Sequence, residues 1–176
     1  MRKQLMWVLV VGGVAVGGAA YVGNVMATPS SGFTSTSLAV GRLAEFDVMN
    51  KLVLDDADPA NSKKHVWHST QKTKGESDLY VQSNVWITGG TSGWHTHPGH
   101  SLITVTAGTV TAYDGDDPTC TPKVYTVGMT FVDEGGDHVH VIRNEGGVEA
   151  RTITVQLIPA RASRRIDAAG NPACTF

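Results

Sequence analysis

The chain has 176 residues, enough for one domain of ordinary size, and its 14 Lys and Arg nearly balance 16 Asp and Glu, for a formal charge of −2. That balance excludes a basic nucleic-acid surface and a polybasic membrane patch. With 41% apolar residues a core can form, and 20 glycines with only 17% charged residues suit a turn-rich β protein better than a helical bundle.

Arg2 and Lys3 precede an apolar run from Leu5 to about Val22, and no further charge occurs before Arg42. Residues 1–27 therefore read as a signal peptide cut after Val25-Met26-Ala27, or as a retained membrane anchor of nearly the length that spans a bilayer. Cutting there takes Lys plus Arg from 14 to 12 and the formal charge to −4. Either way the folded part is expected outside the cytoplasm, secreted or in the cell envelope, touching membrane only through that segment.

Residues 28–40 are rich in Ser, Thr and Gly and predict a flexible leader, with the folded domain spanning 41–176. Arg42 to Leu54 predicts a strand or short helix. Residues 55–78 predict polar loops around one short strand, with His65 and His68 flanking Trp67 in no recognisable motif. From Leu79 the pattern changes. Leu79, Val81, Val85 and Ile87 approximately alternate up to Gly89-Gly90, and 102–106, 109–113, 124–127, 129–133, 139–143 and 151–158 follow as short β-rich runs bounded by Gly, Asp, Asn or Pro. Short strands at such spacing predict a sandwich or barrel. Trp86, Trp94, Tyr113 and Phe131 are candidates for core or pocket wall, with Trp94 pointing away from its neighbour His95.

Cys120 and Cys174 sit in turn-rich sequence and belong to no CxxC pair. In an oxidising compartment a bridge between them would tie the C-terminal tail to an internal loop.

The chemistry lies in the histidines. His95 and His97 form one H-x-H pair, and His138 and His140 form another. On an extended segment such a pair puts both imidazoles on one face, from which they can converge on an ion with a third from a neighbouring strand. Gly89, His95, His97, Ser101 and Gly108 fall at the fixed points of the pattern G-x5-H-x-H-x3,4-E-x6-G. Gly128, His140 and Asn144 fit the looser G-x5-P-x-G-x2-H-x3-N, with Glu134-Gly135-Gly136-Asp137 replacing its Pro-x-Gly. These two motifs resemble those of the cupin family, over a motif core of about 79–160.

The resemblance implies an all-β, cupin-type β-barrel or double-stranded β-helix (jelly-roll-like) of two antiparallel sheets. It also implies one divalent transition metal (Fe, Mn, Ni, Cu or Zn) held by His95, His97 and His140. Ser101 stands where the family usually places a glutamate, so three neutral imidazoles would leave the metal more electrophilic, with open positions. His100 could add a ligand. His138 could act beside the site as acid, base or hydrogen-bond donor. Asp133, Glu134 and Asp137 could supply a carboxylate, although turn solvation accounts for them more simply. Arg161, Arg164 and Arg165 could meet a substrate carboxylate or form a solvated tail. Three functions follow: a metal-dependent oxidoreductase (dioxygenase-like) or isomerase on a small polar molecule, a non-catalytic small-molecule-binding cupin, or an envelope-anchored structural module. A homodimer is a further expectation from the family.

Overall fold

The computed structural model describes residues 28–54 and 65–176, and the signal or anchor expected over 1–27 lies outside them. All regular structure among the described residues is β. The strands are β1 (Ser31–Leu43), β2 (Asp47–Leu54), β3 (His65–Lys72), β4 (Ser77–Thr91), β5 (His95–Thr96), β6 (Ser101–Ala107), β7 (Thr109–Asp114), β8 (Lys123–Thr126), β9 (Thr130–Asp133), β10 (His140–Arg143), β11 (Ala150–Pro159) and β12 (Ile166–Asp167). Ten of them form one antiparallel sheet curled into a nearly closed barrel, in the order β12-β5-β10-β4-β11-β6-β9, with β1 on β4, and β7 bridging β10 and β8. The barrel is thus one continuous sheet rather than two separate ones. β2 and β3 pair only with each other, as a hairpin.

The expected flexible leader is a strand. β1 pairs along β4 from Ser31 opposite Thr91 to Leu43 opposite Ser77. Its Ser- and Thr-rich composition resembles a linker, but those residues are compatible with a half-exposed edge, and long-range contacts fix them. Phe33 packs on Trp86 with ring centroids 4.8 Å apart, and Ser35 Oγ donates to Gln82 Oε1 at 2.8 Å. At the far end Arg42 donates two bonds to the Asp78 carboxylate, at 2.8 and 3.0 Å. That guanidinium holds the Asp78 carboxyl below its ordinary range.

β4 alternates in the opposite phase from the one its apolar residues suggest. Gln82, Asn84 and Trp86 point into the barrel, while Leu79, Val81 and Val85 are half-buried on the outer side and Ile87 is exposed. Burying amides costs stability unless they are hydrogen-bonded. Here Asn84 Nδ2 donates to Thr154 Oγ1 at 2.9 Å across to β11, and Gln156 Nε2 donates to Ser101 Oγ at 3.3 Å. The middle of the barrel is accordingly polar and hollow.

Apolar packing surrounds the rest. Trp86, Ile103, Val105, Val110, Ala112, Ile142 and Ala150 form the main core, with Phe33, Tyr125 and Phe131 against it. Val105 and Val110 are 1% and 0% exposed, and burying a side chain of this size contributes about 1.5–3 kcal/mol. A second cluster joins Trp94, Tyr113 and Val141 to the Cys120–Cys174 disulfide, whose Cα atoms lie 5.3 Å apart. The bridge holds the tail so that Phe176 stacks on Trp94 and lies 4.0 Å beneath the Arg143 guanidinium. Asn144 is fully buried. Its Nδ2 donates to the carbonyls of Trp86 (3.1 Å) and Val148 (2.8 Å), and its Oδ1 accepts from Gly146 N at 3.0 Å. That motif residue fastens β10 to β4 and acts on the fold rather than the chemistry.

Candidate metal centre

Pairing register brings the histidines together. His95 on β5 lies directly opposite His140 on β10, and opposed residues of an antiparallel pair share a face. His97 follows β5 in the chain. The ring centroids are 4.4 Å apart for His95–His140, 4.8 Å for His95–His97 and 5.5 Å for His97–His140. One nitrogen from each lies within 4.8 Å of the other two.

Two of the rings are oriented by backbone carbonyls. His95 Nδ1 donates to the Gly93 carbonyl at 2.8 Å, and His97 Nδ1 donates to the Arg164 carbonyl. A carbonyl only accepts, so both Nδ1 atoms carry hydrogen, and in the neutral rings Nε2 presents its lone pair. Burial pushes His95 down to about 2, with His140, Arg165 and His97 acting in the same direction. Burial also lowers His140, to about 4, against the pull of Asp133. Both are neutral at pH 7, the form that ligates metals.

The local chain path depends on two close approaches. A Cβ on Gly99 would lie 2.2 Å from the Leu157 carbonyl oxygen, and one on Gly135 (φ +69°) would lie 2.2 Å from the Gly99 oxygen. Only glycines let these turns stack on β11. The segment that replaces Pro-x-Gly is thereby clamped to the first histidine motif, with Gly136 N donating to the His97 carbonyl at 2.7 Å and Thr96 Oγ1 to the Gly136 carbonyl at 2.7 Å.

The three histidines line one end of a cavity of about 130 Å³, together with Ser101, Gln156 and Trp86. Ser101 is 1% exposed and faces inward beside them. Asn84 Oδ1, Gln156 Oε1 and Trp86 Nε1, on lining residues of this cavity, are buried without a protein partner. Arg164 and Arg165 also border the cavity. Arg164 is engaged with Gln82 Oε1 at 2.9 Å, Ser37 Oγ at 2.7 Å and the Tyr80 ring, and Arg165 with Asp167 at 2.5 Å. Arg161 is exposed outside it.

Other candidates fall elsewhere. His100 borders a different cleft with Gln71, Lys72 and Leu157, because the Pro98-Gly99 bend lays it along β11 rather than turning it inward. His138 lies beyond His140, its ring stacked at 6.1 Å and its Nε2 3.5 Å from Asp114 Oδ1, on a second small cavity of about 70 Å³, and with Asp133 and His140 it forms a second group whose ligand atoms lie within 4.8 Å of one another. His68 is exposed on the β2–β3 hairpin, and the His65 side chain lies outside the described residues. Trp94 points away from the site into the tail cluster.

Asp133 differs most from expectation. Glu134 and Asp137 are exposed turn residues, but Asp133 is only 3% exposed. Its Oδ1 accepts from Gly135 N at 3.1 Å. Its Oδ2 is 3.3 Å from His97 Nε2, and its Oδ1 is 3.4 Å from His140 Nδ1. The signal was in β9, where alternation from Phe131, which packs on the core, turns Asp133 inward as well.

No protein-family model matches the chain, and no curated protein matches it by sequence. Solved structures do. An uncharacterised double-stranded β-helix protein from Klebsiella pneumoniae is 21% identical over 51% of this chain and 74% of that one, with a TM-score of 0.44. A structure of oxalate oxidase is 22% identical at TM-score 0.39, over 47% of this chain and 46% of its own, so the chain spans about half its length. A predicted oxalate decarboxylase from Thermotoga maritima is 17% identical at TM-score 0.39, over 48% and 83% of the two chains.

Proposed function

We propose that the protein is an exported cupin-type barrel that holds one divalent transition metal on His95, His97 and His140 and takes a small polar molecule into the adjoining cavity. The observation that supports this most is the convergence of three imidazoles, those of His95 and His140 buried and that of His97 half-buried, with the His95 and His97 rings held by backbone carbonyls. The residues fit such an ion. Neutral nitrogen donors are suited to Fe, Mn, Ni, Cu or Zn, and the buried, unpartnered Asp133 Oδ2 and His140 Nδ1 beside them would otherwise be costly orphans.

When bound, the metal would supply Lewis acidity or oxygen activation, the chemistry of an oxidoreductase or isomerase. The chain's own contribution is positional. The carbonyls of Gly93 and Arg164 fix two rings in one tautomer. The polar residues that line the cavity, Ser35, Gln82 and Thr154 among them, would hydrogen-bond a hydroxylated or amide-bearing guest. The same polar lining also favours a second reading, a non-catalytic binding module. Export rests on the basic and apolar N-terminal segment, and the disulfide is consistent with it.

Thermal unfolding of the full chain with each of the five metals, then with panels of small hydroxy acids, amides and sugars, tests this. An ion at a hundred times its Kd stabilises by about 2.7 kcal/mol, and stabilisation by at least one metal is expected. Turnover with the guests would identify an enzyme, and guest stabilisation without turnover a binding module. No response to any metal would contradict the proposal.

A further inference from the structure

Ser101 leaves the three-histidine site without the carboxylate that the matching motif position usually carries. The strand directly opposite restores one. β6 and β9 pair with Ser101 across from Asp133, so the two side chains leave the sheet on the same inward face. We propose that Asp133 is the anionic ligand of the centre, delivered from β9 to the place that position 101 has vacated, so that the site is three histidines and one aspartate. The proposal rests on the metal reading above.

Spacing supports it. Donors about 2.0–2.2 Å from a shared ion, at angles between octahedral and tetrahedral, stand about 3.0–3.5 Å apart. Asp133 Oδ2 is 3.3 Å from His97 Nε2, and Oδ1 is 3.4 Å from His140 Nδ1. His97 Nδ1 donates to the Arg164 carbonyl, which leaves Nε2 as the ring atom that faces the carboxylate. Asp133 Oδ2 and His140 Nδ1 are both buried without a hydrogen-bond partner. Gly135 N, on the clamped turn, holds the other carboxylate oxygen, which fixes the direction of Oδ2.

In a narrower role Asp133 would only accept a hydrogen bond from His140 and orient that ring. Asn at 133 retains an acceptor but removes the charge, so it separates the two roles. The full chain, without a histidine tag, is titrated with Co2+ and followed by its visible absorption, beside D133N and the exchange variant S101E/D133S. Wild type is expected to take up one equivalent. D133N should bind at least about tenfold more weakly with a changed spectrum, and the exchange variant should recover most of the affinity. D133N with unchanged affinity and spectrum overturns the proposal while the three-histidine reading stands. Uptake of no Co2+ by wild type overturns both. If D133N does not fold, the exchange variant is compared with D133S: tighter binding with the added glutamate supports the proposal, and equal affinity of the two overturns it.

Discussion

The turn between β9 and β10 offers a matched pair of substitutions that isolates the close approach shaping the site. Gly135 and Gly136 both have positive φ, +69° and +63°. An alanine at either pays the left-handed penalty, about 1–2 kcal/mol. At Gly136 a Cβ would meet nothing within 4 Å, so that penalty is the whole cost. At Gly135 the Cβ would fall 2.2 Å from the Gly99 oxygen and 2.6 Å from its carbon, both backbone atoms that cannot rotate aside. Overpacking adds about 1–3 kcal/mol. G135A should therefore lose about 3 kcal/mol and G136A about 1, or roughly 10 °C and 4 °C in Tm for a domain of this size. Urea denaturation of the metal-free proteins, followed by circular dichroism, gives the difference. Because Gly135 N holds Asp133 and Gly136 N holds the His97 carbonyl, G135A should also weaken metal uptake. Equal destabilisation by the two variants would refute the packing argument.

Other consequences can be measured alongside. Replacing Cys120 and Cys174 by Ser opens a loop with a sequence separation of 54, worth about 4 kcal/mol in the chain-entropy model. The loss should appear in the urea midpoint, together with increased exposure of Trp94 fluorescence as Phe176 is released. N144A leaves the Trp86 and Val148 carbonyls and the Gly146 amide without their side-chain partner, and should cost about 3 kcal/mol in the same assay. Burial, followed by the Glu145 carboxylate, raises Tyr113 to about 12. The unfolded phenol ionises first, near pH 10, so Tyr113's contribution is intact below that pH and is lost as pH rises toward 12. Urea midpoints at pH 9 and 11 should fall less in Y113F than in wild type.

The barrel was legible wherever turn residues bracket short β-branched runs, as they do from β6 to β11. It was obscured where composition and role diverge. β1 reads as a linker because Ser and Thr suit an edge strand and a leader equally, and only Phe33 on Trp86 and Arg42 on Asp78 distinguish them. In β4 the apolar alternation is real, but the barrel buries the polar set, since a hollow site needs Gln82 and Asn84 rather than Val81 and Val85. The convergence of His95, His97 and His140 was legible in the motif spacing and that of Asp133 only in the alternation from Phe131, whereas its place opposite Ser101 depends on a pairing between distant segments. The bend at Pro98-Gly99 likewise decided the place of His100 through contacts with β11.

The measurement that bears most directly on the account is elemental analysis of the chain, purified without chelator or histidine tag, beside a H97A/H140A variant. The account predicts close to one equivalent of a single transition metal in wild type and little in the variant. Wild-type protein that carries no metal and refuses added Fe, Mn, Ni, Cu and Zn would contradict it.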